Sequence, residues 1–301
     1  MSRSAELVPL GDGVFYVPGN PNSGVIVSDG SALLVDAGGD RDRGKALARA
    51  VRESGHELVG ILLTHSHADH IGGCAAIVKE TGAPVYVSAV ESAFVEHTTL
   101  ETCMLLSGAA PWTEMQGKFL MAQPAPVAGR FVDGPMSVGG VEFAVYSLPG
   151  HSPGSVGIAA GAVLFAGDAV FAPEVLGKFI VPYNTNMTAL MASHARLKEL
   201  AFDIVVPGHG VPGGTDLADK NLGIAEATIE SVLAALVEGP AGSQEIVDRL
   251  CRAAGGNARI PNPGVYYLYH AGVLACLSHL FGKGAVRTMI DGGRLLWERV
   301  G

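Results

Sequence analysis

Short apolar runs recur along the first two hundred or so residues, each ended by glycine, proline or an acidic residue. Residues 14–17, 24–28 and 32–36 read as successive strands, the last two joined by Asp29-Gly30, a pair that favours a tight hairpin turn. A helix is expected over 43–54, a strand over 60–64, a helix over 71–81 and a strand over 84–88. The alternation returns later, with strands near 141–148, 155–160, 162–167 and 203–206 and a helix near 186–200. Strands and helices alternating twice in this way predict an α/β fold of two half-domains.

Between the halves, residues 90–133 exceed what a simple connection needs. Met104, Leu105, Leu106, Trp112, Met115, Phe119, Leu120 and Met121 make this segment too apolar for disorder. It reads as a cap over a site, the alternatives being a homodimer interface or an extension of the core.

From about Leu222 the periodicity turns helical. A helix over 216–238 is followed by a second, capped by Ser243 and running to about 254, with Ile246, Val247 and Leu250 on one face. A third over 264–281 carries Val265, Leu268, Val273, Leu277 and Leu280 on its apolar face. Residues 285–290 and 294–300 flank the turn Asp291-Gly292-Gly293. Three helices and a hairpin resemble a winged helix, so the chain divides into 1–215, with the 90–133 cap, and a small winged-helix-like domain over 216–301.

The chemistry lies in Thr64-His65-Ser66-His67-Ala68-Asp69-His70, which follows the apolar run Gly60-Ile61-Leu62-Leu63. Imidazoles and a carboxylate packed this closely are costly to bury unless paired or bound to metal, and their donor set suits zinc or iron. Three further apolar runs each end in a small-residue loop carrying one more donor: His151, Asp168 and His209. Strands would deliver these groups rigidly, and the glycines beside them let backbone approach the site.

These seven positions resemble the metal motif of the metallo-beta-lactamase fold superfamily, His-x-His-x-Asp-His followed by a single His, Asp and His, over about residues 8–215. The resemblance implies a four-layer αβ/βα sandwich. It also implies one metal on His65, His67 and His151, a second on Asp69, His70 and His209, and Asp168 bridging them. Two Zn2+ ions are the expected cofactors, with iron or manganese left open. A hydroxide held between them would attack an electrophilic carbonyl or phosphorus, with Asp69 and Asp168 as catalytic carboxylates. Asp36 resembles the family aspartate that hydrogen-bonds the ligand loop, the alternative being a turn residue before Gly38-Gly39. Gly177-Lys178-Phe179 resembles a substrate-binding Gly-Lys-Phe of glyoxalase II enzymes, against a simple solvated lysine. Tyr183 and Asn184 are candidate donors to a developing oxyanion, or loop-packing residues.

Composition narrows the partners. A chain of 301 residues that is 48% hydrophobic and 16% charged can bury a large core, and its 41 glycines suit many short strands joined by loops. The formal charge is −9, and the seven acids and seven bases from residue 222 onward, Arg259 among them, cancel. Nucleic-acid binding normally needs a basic excess, so a small-molecule substrate is expected instead. No run is long enough to span a membrane, and the stretch from Met1 to Leu7 has no apolar leader core. Scattered Cys74, Cys103, Cys251 and Cys276 suit free thiols in a reducing cytoplasm, Cys74 as a small core residue. His56, His97, His194 and His279 lack donor neighbours at metal spacing and read as surface or packed, as do Tyr266, Tyr267, Tyr269 and His270.

The leading function is a dinuclear hydrolase of a small ester-like molecule, a thioester or lactone. A mononuclear iron dioxygenase of the persulfide type and a phosphodiesterase or nuclease of the same fold are the alternatives. Beta-lactam hydrolysis fits less well because Asp168 occupies the bridging position, and a non-catalytic DNA-binding regulator fits least.

Overall fold

The computed structural model describes residues 5–255 and 260–301. Met1 to Ser4 of the leader reading and Arg259 of the charge count lie outside the described residues.

The chain opens as an antiparallel meander of β1 (Val8–Gly11), β2 (Val14–Val17), β3 (Ser23–Ser28) and β4 (Ser31–Val35). Asp29 and Gly30 both adopt positive φ, as a two-residue hairpin of matching twist requires. Helix α1 (Arg41–Glu53), whose first turn is capped by the Asp40 carboxylate, crosses to β5 (Glu57–Leu62), parallel to β4. The turn α2 (Ala68–Ile71) and helix α3 (Cys74–Thr81) lead to β6 (Val85–Ser88). Helices α4 (Ala89–Glu96) and α5 (Thr99–Leu105) and a 3-10 turn at Thr113–Met115 precede β7 (Val127–Phe131). These seven strands form one sheet in sequence order.

A second sheet, in the order β12-β11-β10-β9-β8, is built from β8 (Gly134–Val138), β9 (Val141–Ser147), β10 (Val156–Ala160), β11 (Val163–Gly167) and β12 (Ile204–Pro207). Helices α6 (Pro173–Leu176) and α7 (Met187–Glu199) lie between β11 and β12. Leu33, Val35 and Leu62 of the first sheet meet Val145, Ile158, Phe165 and Val206 of the second in the central core. Ala32, Leu34 and Ile61 face Leu47, Val51 and Ile77 of α1 and α3, while Leu164 and Val205 face Leu197 and Leu217. Strands such as β4 and β11 are continuously apolar because both of their faces are covered. The result is the four-layer αβ/βα sandwich.

The C-terminal part follows as α8 (Asp216–Ala234), α9 (Ser243–Ala253) and α10 (Pro263–Gly282), then β13 (Val286–Asp291) and β14 (Arg294–Arg299), with Ala241 bridging to Trp297. Its core includes Val181, Met187 and Leu190 from before β12, so apolar packing runs across the 215/216 boundary without a break.

Several sequence expectations need correction. The helix expected over 71–81 is broken at Gly72-Gly73, where Gly73 N–H donates to Gly38 O at 3.0 Å, and a Cβ on either glycine would lie within 2.6 Å of the Gly39 or Gly44 backbone. Here α1 meets the chain backbone to backbone. The strand expected over 60–64 runs from Glu57 to Leu62, and Thr64 leaves the ladder to bond Asp36. The 90–133 segment is an insertion only in part, since β7 is a strand of the large sheet. Its buried side chains Leu105, Leu106, Met115 and Leu120 pack on Tyr267 and Leu268 of α10. Ser243 does not cap α9, whose N-cap is Gly242; its hydroxyl lies 2.8 Å from His270 Nε2.

Candidate metal centre

Every candidate donor sits just beyond the C-terminal end of a strand. His65 to His70 follow β5, His151 follows β9, Asp168 follows β11 and His209 follows β12, so the two sheets direct their donors into one cleft. Three donor groups converge: His65, His67 and His151; His65, His70 and Asp168; and Asp69, His70 and His209, with the donor atoms of each group within 4.8 Å of one another. His67 Nδ1 lies 3.0 Å from His65 Nε2 and 2.9 Å from His151 Nε2. Asp168 reaches both sets: Oδ1 is 3.2 Å from His70 Nε2, and Oδ2 is 3.4 Å from His151 Nε2 and 3.5 Å from His209 Nε2. Asp69 Oδ2 lies 3.2 Å from His209 Nε2.

Close approach is built into the backbone. A Cβ on Gly208 would fall 2.0 Å from Asp168 Oδ1 and 2.9 Å from the His70 ring, so only glycine lets β12 exit here. Asn22 fastens that exit to the first half, donating through its side chain to the carbonyls of Pro207 at 3.0 Å and Gly210 at 2.8 Å.

The donors are held from behind. Asp36 accepts from Thr64 N at 2.9 Å and Thr64 Oγ1 at 2.8 Å, and its Oδ2 lies 2.8 Å from His70 Nδ1. It therefore braces the Thr64–His70 loop from a position of positive φ just after β4. Sequence reasoning missed Glu91 of α4, a fully buried carboxylate that accepts from Ser66 N, Ser66 Oγ, Ser152 Oγ and Gly154 N. It also missed Asn20, whose Oδ1 meets His209 Nδ1, and Phe171, whose ring stacks on His209 and meets the edge of His151. Phe171 is held by Asn221 of α8, which bonds its N–H at 2.9 Å and its carbonyl at 2.8 Å. No local spacing advertises these contacts, because the partners are far apart in sequence.

The substrate candidates fare unevenly. Lys178 is exposed after α6, with no side-chain hydrogen bond or ion pair among the described residues. The Tyr183 ring stands 5.3 Å from His67 and 5.6 Å from His151, centroid to centroid, and its buried hydroxyl has no partner among the described residues. Asn184 donates to Pro182 O at 3.4 Å and lines a small cavity of about 20 Å³ beside Asp168, as a packing residue does. His194 is buried with Nε2 2.9 Å from Ala169 O, His279 contacts Thr188 and His56 contacts Ser54, while His97 is exposed, so none of these four belongs to the centre. Tyr266, Tyr267 and His270 pack on one another, Tyr269 is core, and Cys74 is core.

Electrostatics divides the centre in two. Burial, joined by the neighbouring imidazoles, pushes His65 well below the ordinary value, and burial takes His67 to about 4 and His151 to about 3. Burial opposes charge on His70 too, but Asp168, Asp36 and Asp69 together outweigh it and raise its pKa well above normal. His209 rises against burial to about 9 through Asp168 and Asp69. One half thus offers neutral imidazoles, and the other holds protons that stand where a cation would be favoured. Burial, with Asp69 and Glu91, pushes the Glu101 carboxyl of α5 well up.

A divalent metal fits this donor set. His70 Nε2 and Asp168 Oδ1 are buried and lack any hydrogen-bond partner among the described residues, although they face each other, and such orphaned donors are costly without a shared ligand. Neutral imidazoles with carboxylates suit zinc, iron or manganese.

An αβ/βα sandwich carrying a histidine and carboxylate cluster at its strand ends defines a metal-binding class of enzymes. The chain belongs to the metallo-beta-lactamase superfamily, whose family profile matches residues 16–209. It is 28% identical over 198 residues to the probable metallo-hydrolase YqgX of Bacillus subtilis, spanning 64% of this chain and 86% of that protein. It is 25% identical over 190 residues to the hydroxyacylglutathione hydrolase GloC of Haemophilus influenzae, spanning 60% of this chain and 80% of that one. Among solved structures, a metallo-beta-lactamase family protein from Thermus thermophilus superposes with a TM-score of 0.73 at 24% identity, covering 96% of this chain and 99% of that one. That alignment extends well past the residues the family profile matches. Among the described residues no helix is long and apolar enough to cross a membrane.

Proposed function

We propose that the chain is a dinuclear metal-dependent hydrolase of a small ester-like substrate, a thioester or lactone. In this reading His65, His67 and His151 hold one ion, Asp69, His70 and His209 hold the other, and Asp168 lies between them. The observation that carries it is the Asp168 carboxylate, whose two oxygens lie 3.2 to 3.5 Å from imidazoles of both sets. Two bound ions, zinc in this proposal, would supply Lewis acidity that ionises water near neutral pH and polarises an acyl carbonyl.

The chain's own residues do the rest. Asp69 is the most open of the seven donors, with a third of its side chain exposed, and is suited to orient the nucleophilic water or carry its proton toward solvent. Asp36 and Glu91 hold the donor loops rigid, so little reorganisation is needed on reaction. Tyr183 walls the cleft beside His67 and His151, and the exposed Lys178 is left to meet the outer part of a substrate. The relative named for hydroxyacylglutathione hydrolysis supports a thioester first. The acidic chain disfavours a phosphodiester polymer, and so does the packing of the insertion on the Tyr267–Ala271 part of α10. Four free cysteines support a cytoplasmic setting. The division into a catalytic part over 1–215 and an appended part over 216–301 remains part of this proposal.

Metal content per chain and a screen of thioesters, lactones and phosphodiesters test the reading. About two zinc ions per chain and thioester or lactone turnover, abolished by His67→Ala with the fold retained, is the expected result. About one iron per chain with persulfide oxidation would replace it.

A further inference from the structure

Each donor imidazole has one nitrogen turned toward the centre and one turned away. A neutral imidazole that binds metal carries its proton on the outer nitrogen, and an acceptor there fixes the ring and its tautomer. Four of the five rings have such an acceptor. His65 Nδ1 meets Thr64 Oγ1 at 3.0 Å, and that hydroxyl is free to accept because its own proton goes to Asp36. His70 Nδ1 meets Asp36 Oδ2 at 2.8 Å, His151 Nδ1 meets the Tyr183 carbonyl at 3.1 Å, and His209 Nδ1 meets Asn20 Oδ1.

His67 is the exception. Its Nδ1 faces the other two donors of its set, so Nε2 must carry the proton. The acid facing that nitrogen is Glu101, with Oε1 at 3.9 Å, one ångström or so beyond a hydrogen bond. Glu101 is 7% exposed and its carboxyl makes no hydrogen bond to any other described residue. A buried acid with no other partner is expensive for a purely structural position. Its helix, α5, belongs to the insertion and is anchored on its far side by Leu105 against Tyr267 and Leu268 of α10.

We infer that Glu101 is the positioning residue for His67: the insertion supplies the missing outer acceptor of the donor set, closing on Nε2–H when the first metal is bound. This rests on the metal assignment proposed above, but not on the hydrolytic activity. A carboxyl oxygen accepts in either protonation state, so the role does not depend on how Glu101 titrates. The insertion is thereby part of the metal centre as well as a cover beside it.

The test compares Glu101→Met, which keeps bulk and removes the acceptor, with Glu101→Gln, which keeps an acceptor. Zinc affinity is read by chelator competition on the full chain, alongside the visible spectrum of the cobalt-substituted protein. Glu101→Met should weaken one of the two metal equivalents about 10- to 100-fold and alter the cobalt bands, while Glu101→Gln stays near the parent. Unchanged affinity and bands in both variants overturn the inference. Equal weakening in both overturns it too, because the effect would then come from charge and not from an acceptor. Loss of hydrolysis with parental metal affinity would also count against it, while leaving the metal assignment intact.

Discussion

At the scale of single residues, the candidate centre is a set of interacting proton sites. In metal-free protein, His209 has a folded pKa near 9 against an ordinary 6.5, so its contribution to stability is full below about pH 6.5 and is lost as pH rises through 9. His67 and His151 shift the other way, to about 4 and 3, so stability also falls as pH drops below 6.5, where the unfolded chain takes up protons first. Thermal melts of the metal-free protein should therefore peak near pH 6.5 and decline on both sides; a melting temperature flat from pH 5 to pH 9 would contradict this. The seven donors were legible in the sequence because four of them share one loop and the others each end an apolar run. Glu91, Asn20 and Asn22 were not, since each acts on a partner well removed along the chain: Glu91 on Ser152, 61 residues on, and Asn22 on Pro207, 185 residues on. Glu91→Ala should strand buried donors in two ligand loops and cost about 3 kcal/mol of stability, read by denaturant unfolding.

At the scale of elements, the strands were read well where both faces are buried, and less well at the edges. β4 and β11 are unbroken apolar runs, whereas β1, β7 and β8 alternate with exposed positions and were absorbed into neighbouring loops or the insertion. Helix 71–81 failed as a single element because tertiary backbone contact at Gly72 and Gly73 overrode local propensity. The exit of β12 is the element most intolerant of change. Gly208→Ala should displace Asp168 or His70, lower stability by about 1–3 kcal/mol and empty at least one metal position. Elemental analysis after dialysis checks this, and full retention of metal would show that the loop can yield.

At the scale of the whole molecule, the C-terminal helices are fused to the sandwich by apolar packing. Leu105, Leu106, Met115 and Leu120 rest on α10, while Met187 and Leu190 share a core with α8 to α10. The sequence revealed the helices and hairpin but not this fusion, because an apolar stripe does not name the surface it meets. A chain ended after residue 215 should expose those side chains and aggregate, as followed by light scattering; a monodisperse truncated protein that keeps its metal would argue for two independent units.

Asn22 joined to Pro207 and Gly210 has a consequence for how the protein is made. The first sheet and its histidine loop leave the ribosome long before the segment that carries His209. Long-range closure of this kind is slow, and the early half must wait with an incomplete set of donors. On the proposed assignment, full metal capture would be a late event of biosynthesis, completed only after the two sheets have docked. Until then the newborn chain carries an unfinished chelator, and its donors come together only when the Asn22 contacts to Pro207 and Gly210 have formed.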